Sequence, residues 1–147
     1  MWLPLIAYIA WSIPLSIIDL KFHRLPRIYV VGLTLSIFIT TTFSMGLEVL
    51  ISSVRFGFIY FAIFLLLSMV SKGSIGLGDV KYSFACGTLI GIYTSELWLI
   101  VLWTMFALAG LVSIGLLALA RLRRSDRIAF GPYMAITTVA FVGNSLG

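Results

Sequence analysis

Residues 3–20 read LPLIAYIAWSIPLSIIDL, uncharged until Asp19, and residues 21–27 follow at once as the basic KFHRLPR. A bilayer core of about 30 Å needs about 20 helical residues to cross it, so this stretch has the length and polarity of a membrane span. Pro14 does not argue against that, because transmembrane helices tolerate proline. Residues 28–43, 47–70, 80–92, 97–120 and 128–146 are further apolar runs, separated by short connections. The chain of 147 residues is 61% hydrophobic and 10% charged, with a mean hydropathy of +1.15. A soluble domain carries roughly 25% charged residues. The expected fold class is therefore an all-α polytopic membrane protein with six transmembrane helices, residues 1–147 forming a single domain. No internal repeat or low-complexity linker interrupts it. The N-terminus lacks a basic segment of the kind that opens a cleavable signal peptide, so Asp19 is expected in the mature protein.

The charges sort by connection. Lys21, Arg24, Arg27, Lys72, Lys81, Arg121, Arg123, Arg124 and Arg127 lie in or beside the connections after spans one, three and five. Glu48 and Glu96 stand in the other two connections. The positive-inside rule then puts the basic connections in the cytoplasm and both termini outside. The net charge of +5 reads as orientation signal and contact with anionic lipid head groups rather than as a nucleic-acid surface. Arg55 is the exception. It is expected to snorkel to the outer interface, or to sit on an amphipathic lead-in to span three. Trp2, Trp11, Trp98 and Trp103 suit interface anchoring or helix packing. Cys86, the single cysteine, excludes an intrachain disulfide and a multi-cysteine metal site, and reads as a small buried hydrophobe.

Asp19 ends the first span and Asp79 begins the fourth, so the same parity brings both carboxylates to the cytoplasmic face. An ionisable residue at a membrane boundary is costly and is by default a functional-site candidate. Two nearby carboxylates lose their protons in separate steps that belong to the pair. One can then take a proton from water while the other donates to a scissile carbonyl. Helix dipoles favour charge on Asp79, at an N-terminus, over Asp19, at a C-terminus, which suggests Asp79 as base and Asp19 as acid. Gly76 and Gly78 are expected to let the backbone take conformations closed to other residues and to let a substrate strand approach. Each feature also has a plainer reading: Asp79 as a helix N-cap after an ordinary turn, Asp19 as an interfacial partner of Lys21 or Arg24. His23 reads as solvated or head-group-facing, and Lys81 as a support for Asp79 or a contact to lipid phosphate.

Three segments resemble the type IV prepilin peptidases, polytopic aspartic proteases of the Gly-x-Gly-Asp class. They are Ile18-Asp19-Leu20-Lys21-Phe22-His23-Arg24-Leu25-Pro26, Ile75-Gly76-Leu77-Gly78-Asp79-Val80-Lys81 and Ile128-Ala129-Phe130-Gly131-Pro132-Tyr133. Order and spacing agree over essentially the whole chain. The resemblance implies Asp19 and Asp79 as the catalytic pair, with Gly76, Gly78, Lys81 and Pro26 supporting the site or the substrate. It also implies prepilins or pseudopilins as substrates, cut after a short basic leader at the cytoplasmic face of a bacterial or archaeal cytoplasmic membrane. Arg27 and Ala129 depart from the family pattern. The cytoplasmic insert with paired cysteines, linked in larger members to N-methylation, has no counterpart in this sequence. No methyltransferase activity, cofactor or metal is therefore expected. The rival readings are a small proton-coupled transporter, using the two aspartates as a relay, and a non-catalytic assembly partner.

Overall fold

A computed structural model of the chain describes residues 1–71, 75–119 and 129–147. Lys72, Arg121, Arg123, Arg124, Arg127 and Ile128, which the sequence assigns to two basic connections and the start of span six, lie outside the described residues. The elements are α1 (Leu3–Phe22), α2 (Arg27–Met45), α3 (Leu47–Val70), α4 (Leu77–Tyr93), α5 (Trp98–Ala118) and α6 (Gly131–Leu146), with a 3-10 turn at Ser95–Leu97 leading into α5. The fold is all-helical, as its composition requires.

Among the described residues, four segments are long and apolar enough to cross a membrane: α1, α2, α3 and residues 95–118. With 17 and 16 residues, α4 and α6 are shorter. The placement of α4 explains its composition. It packs against α2, α3, α5 and α6, and its residues from Asp79 to Ile90 are buried apart from Lys81 and Phe84. A helix shielded by other helices does not need an apolar surface all round.

The α3–α4 contact is the most extensive in the molecule, and missing side chains make it possible. A Cβ built on Gly87 would lie 2.6 Å from the Phe56 carbonyl oxygen and 2.8 Å from Tyr60 Cβ; one on Gly91 would lie 2.9 Å from the Ser53 carbonyl. Small residues let membrane helices approach closely enough for dispersion contacts to hold them, since lipid supplies no hydrophobic drive.

Polar groups pair inside the bundle. The Tyr8 and Tyr82 hydroxyls are 2.8 Å apart, and the Tyr8 hydroxyl is 3.2 Å from Cys86 Sγ. Cys86 is buried as expected, but within this hydroxyl cluster rather than in a purely apolar setting. Trp11 Nε1 donates to Ser36 Oγ at 3.0 Å, joining α1 to α2, and the Tyr60 hydroxyl donates to the Trp98 carbonyl at 2.6 Å. Arg55 is exposed on α3, its guanidinium 5.1 Å from the centre of the Phe56 ring. It lies near the end of α3 that follows Gly46, away from the aspartates. The lead-in to span three is not a separate segment: α3 is one continuous helix from Leu47.

Candidate active site

Asp19 lies in the last turn of α1 and is 3% exposed; Asp79 lies in the first turn of α4 and is 8% exposed. Burying an unpaired carboxylate is expensive, so such residues persist where backbone donors or a function hold them. Both line one cleft of about 200 Å³, together with His23, Arg24, Leu25, Gly76, Leu77 and Gly78.

Local backbone geometry brings the segments together. The chain leaves α1 through His23, at φ 50°, ψ 34°, whose N–H donates to the Asp19 carbonyl at 2.8 Å. Histidine is among the few side chains seen with some frequency in this left-handed region. The turn delivers Leu25 to α4, and there Gly78 is required for space: a Cβ on Gly78 would sit 2.8 Å from Leu25 Cβ and 3.3 Å from the Leu25 backbone nitrogen and oxygen. Pro26, extended at φ −64°, ψ 132°, then caps α2. On the other side, the buried Ser68 hydroxyl donates to the Ile75 carbonyl at 2.9 Å and ties the end of α3 to the Gly76 segment.

Gly76 is the N-cap of α4, at φ −69° and ψ 148°. The Asp79 N–H donates to the Gly76 carbonyl at 3.0 Å, closing the first turn of α4. The expected backbone freedom of Gly76 and Gly78 is not used: among the described residues only His23 and Gly46 have positive φ. Gly78 serves by being small, whereas a Cβ on Gly76 would make no contact shorter than 3.5 Å. α4 also begins three residues before the expected boundary, which places Asp79 inside its first turn.

Asp19 has a partner that the sequence did not reveal. Its Oδ2 accepts the Gly131 N–H at 2.9 Å, and a Cβ on Gly131 would fall 2.7 Å from that oxygen. Gly131 opens α6, so the carboxylate sits at a helix N-terminus, where free N–H groups and the dipole favour an anion. The ring of the preceding residue anchors this end, with Phe64, Phe106 and Phe130 centroids 5.3 to 5.6 Å from one another. The expectation that only Asp79 has a helix N-terminus is corrected: each carboxylate has one, and the dipole argument no longer separates base from acid. Asp79 Oδ1 is buried without a hydrogen-bond partner among the described residues, leaving a lone acceptor inside the cleft.

Lys81 is not brought to the cleft. It is exposed and lines an apolar groove between α2, α3 and α4. Residues two apart on a helix do not face the same way, so nearness to Asp79 in sequence misleads here. His23, though exposed, lines the cleft beside Asp19.

Comparison with curated proteins and with solved structures finds no match. Residues 6–119 match the model of the type IV leader peptidase family, a region that includes most of α1, all of α2 to α5 and both aspartates. Helices of membrane-crossing length and apolarity make this a multi-pass membrane protein, and the match over most of its length makes the chain a member of the type IV leader peptidase family.

Proposed function

We propose that the chain is an aspartic endopeptidase that removes the short basic leader of type IV prepilins or pseudopilins, with Asp19 and Asp79 activating the attacking water. The observation that carries this reading is the meeting of two buried carboxylates, from the end of α1 and the start of α4, in one polar cleft. In such a pair one carboxylate takes a proton from water as it attacks the scissile carbonyl while the other gives its proton to the carbonyl oxygen; the first then passes the proton it took to the leaving amine as the C–N bond breaks, and the second recovers its proton from the tetrahedral hydroxyl. The pair titrates as a unit. Asp79 Oδ1, without a hydrogen-bond partner among the described residues, is the acceptor best placed to hold the water. The Gly131 N–H holds one edge of the Asp19 carboxylate.

The distribution of basic residues supports a cleft at the cytoplasmic face of six spans, with α4 and α6 crossing as short helices screened by the others. Lys21, Arg24 and Arg27, in the described connection beside Asp19, agree with that side. Supported by the same parity, the substrate presents its cut site where its apolar helix enters the membrane. Type IV pili and related assemblies are the systems such an enzyme serves.

The test is co-expression with a cognate prepilin, read as a mobility shift, for wild type, Asp19→Asn and Asp79→Asn at equal membrane levels. Processing by wild type and by neither variant is the expected result. Processing that survives either substitution would refute the two-aspartate mechanism. A wild-type protein that conducts protons or carries a solute, and cuts no pilin precursor, would place the transporter reading first.

A further inference from the structure

We propose that the open groove between α1 and α6 is the docking surface for the substrate's apolar helix, an inference that rests on Asp19 and Asp79 being the catalytic pair. The groove has a volume of about 570 Å³ and an almost wholly apolar lining. Ser12 and Ala135, both buried, form its floor; Ile13, Ile17 and Ile136, all exposed, form its rims.

Its position follows from helical periodicity. Ser12, Ser16 and Asp19 are four and then three residues apart and share one face of α1. Gly131, Ala135 and Val139 are four apart and share one face of α6. Those two faces meet at the hydrogen bond from Gly131 to Asp19. The groove thus begins one turn from the catalytic carboxylate and runs along both helices away from the cleft. A helix lying in it would have its end at the dyad. Serine and alanine in the walls permit the close backbone approach that helix packing in a membrane depends on.

A second apolar groove, of about 290 Å³, runs between α2, α3 and α4. Charge decides between the two. Lys81 forms part of the smaller groove's wall, so a helix preceded by a basic leader would bring like charges together there. No charged side chain among the described residues lines the α1–α6 groove, and its α1 face ends on Asp19. The bulky Phe58, Phe61 and Phe84 of the smaller groove also hold a third helix farther off.

Photo-crosslinking tests this directly. The photoreactive residue p-benzoylphenylalanine is placed at Ile13 or Ile136, and for comparison at Leu35 or Phe58, in an Asp79→Asn protein co-expressed with a prepilin. Adducts with the prepilin from Ile13 and Ile136, and none from Leu35 and Phe58, are expected. Adducts of equal or greater yield from Leu35 or Phe58, or none at any position, would overturn the proposal. In the active protein, Ala140→Trp should raise KM about tenfold with kcat retained, the signature of lost substrate binding, while Leu35→Trp leaves both unchanged. An unchanged KM in Ala140→Trp would also overturn it. Failure of the catalytic reading is separate: it shows as processing that persists in Asp79→Asn, whichever groove crosslinks.

Discussion

Helices α4 and α5 reverse the relation between apolarity and burial that holds in water. α5 is the more apolar, yet Trp103, Leu111 and Ile114 along it are exposed. α4 carries Asp79, Tyr82, Ser83, Cys86 and Thr88, and all of them are buried. Lipid tails are as apolar as leucine, so in a membrane a hydrophobic surface marks the side that faces lipid. The interior is where polar groups find partners. Length and apolarity therefore single out α1, α2, α3 and α5 and pass over α4 and α6, the two that carry Asp79 and Gly131.

If the chemistry resides in the polar, buried helices, substitutions there and in α5 should separate cleanly. The largest effect is expected from Asp79→Asn in α4 and Asp19→Asn in α1, each lowering the processing rate by at least about 10²-fold. Thr104→Ala in α5 should leave it unchanged in the same gel-shift assay. Gly131→Ala comes next. Its added Cβ would push against Asp19 Oδ2, and misplacement of a reacting group by about 1 Å can cost about 10²-fold. A fall of about 10- to 100-fold in kcat, with KM and the unfolding midpoint in detergent near wild type, would assign Gly131 to positioning. Gly143→Ala, on the same helix but with nothing within 4 Å of its Cβ, should be silent.

The third contrast concerns stability. Gly87→Leu would force α3 away from α4 and should cost about 1–3 kcal/mol or more, as overpacking does. Gly110→Leu in α5, where a Cβ meets nothing within 4 Å, should change stability by no more than about 0.5 kcal/mol. Unfolding midpoints in one detergent measure both, and equal losses would break the distinction between the two helices. Smallest is Tyr8→Phe, which removes the hydroxyl shared with Tyr82 and Cys86. Hydrogen bonds between membrane helices average about 0.6 kcal/mol, so a loss of that size is expected, with processing retained.

The sequence was most legible where local signals are strong. Residues 47–70 were expected as a span and α3 occupies Leu47–Val70, because Gly46 and the connection after Val70 mark both ends. Parity of the basic connections was enough to put Asp19 and Asp79 at the same end of the bundle. The role of the glycines was not legible. A missing side chain can serve an unusual φ or a close neighbour, and only the position of Leu25 shows that Gly78 serves the second. Gly131 escaped because its partner is 112 residues away. A Gly-Pro pair opening the last span was the available hint, since a helix start presents free N–H groups.

The bond between Asp19 and Gly131 joins α1 to α6 across 112 residues of chain, and this bears on how the protein is made. As the chain leaves the ribosome, α1 is available for insertion before α6, and the Asp19 carboxylate has no Gly131 amide to meet until α6 has been translated. Every intermediate length contains an aspartate without its mate from α6. Synthesis order thus sets when this end of the bundle can close, since Asp19 gains its Gly131 amide only once α6 has joined α1.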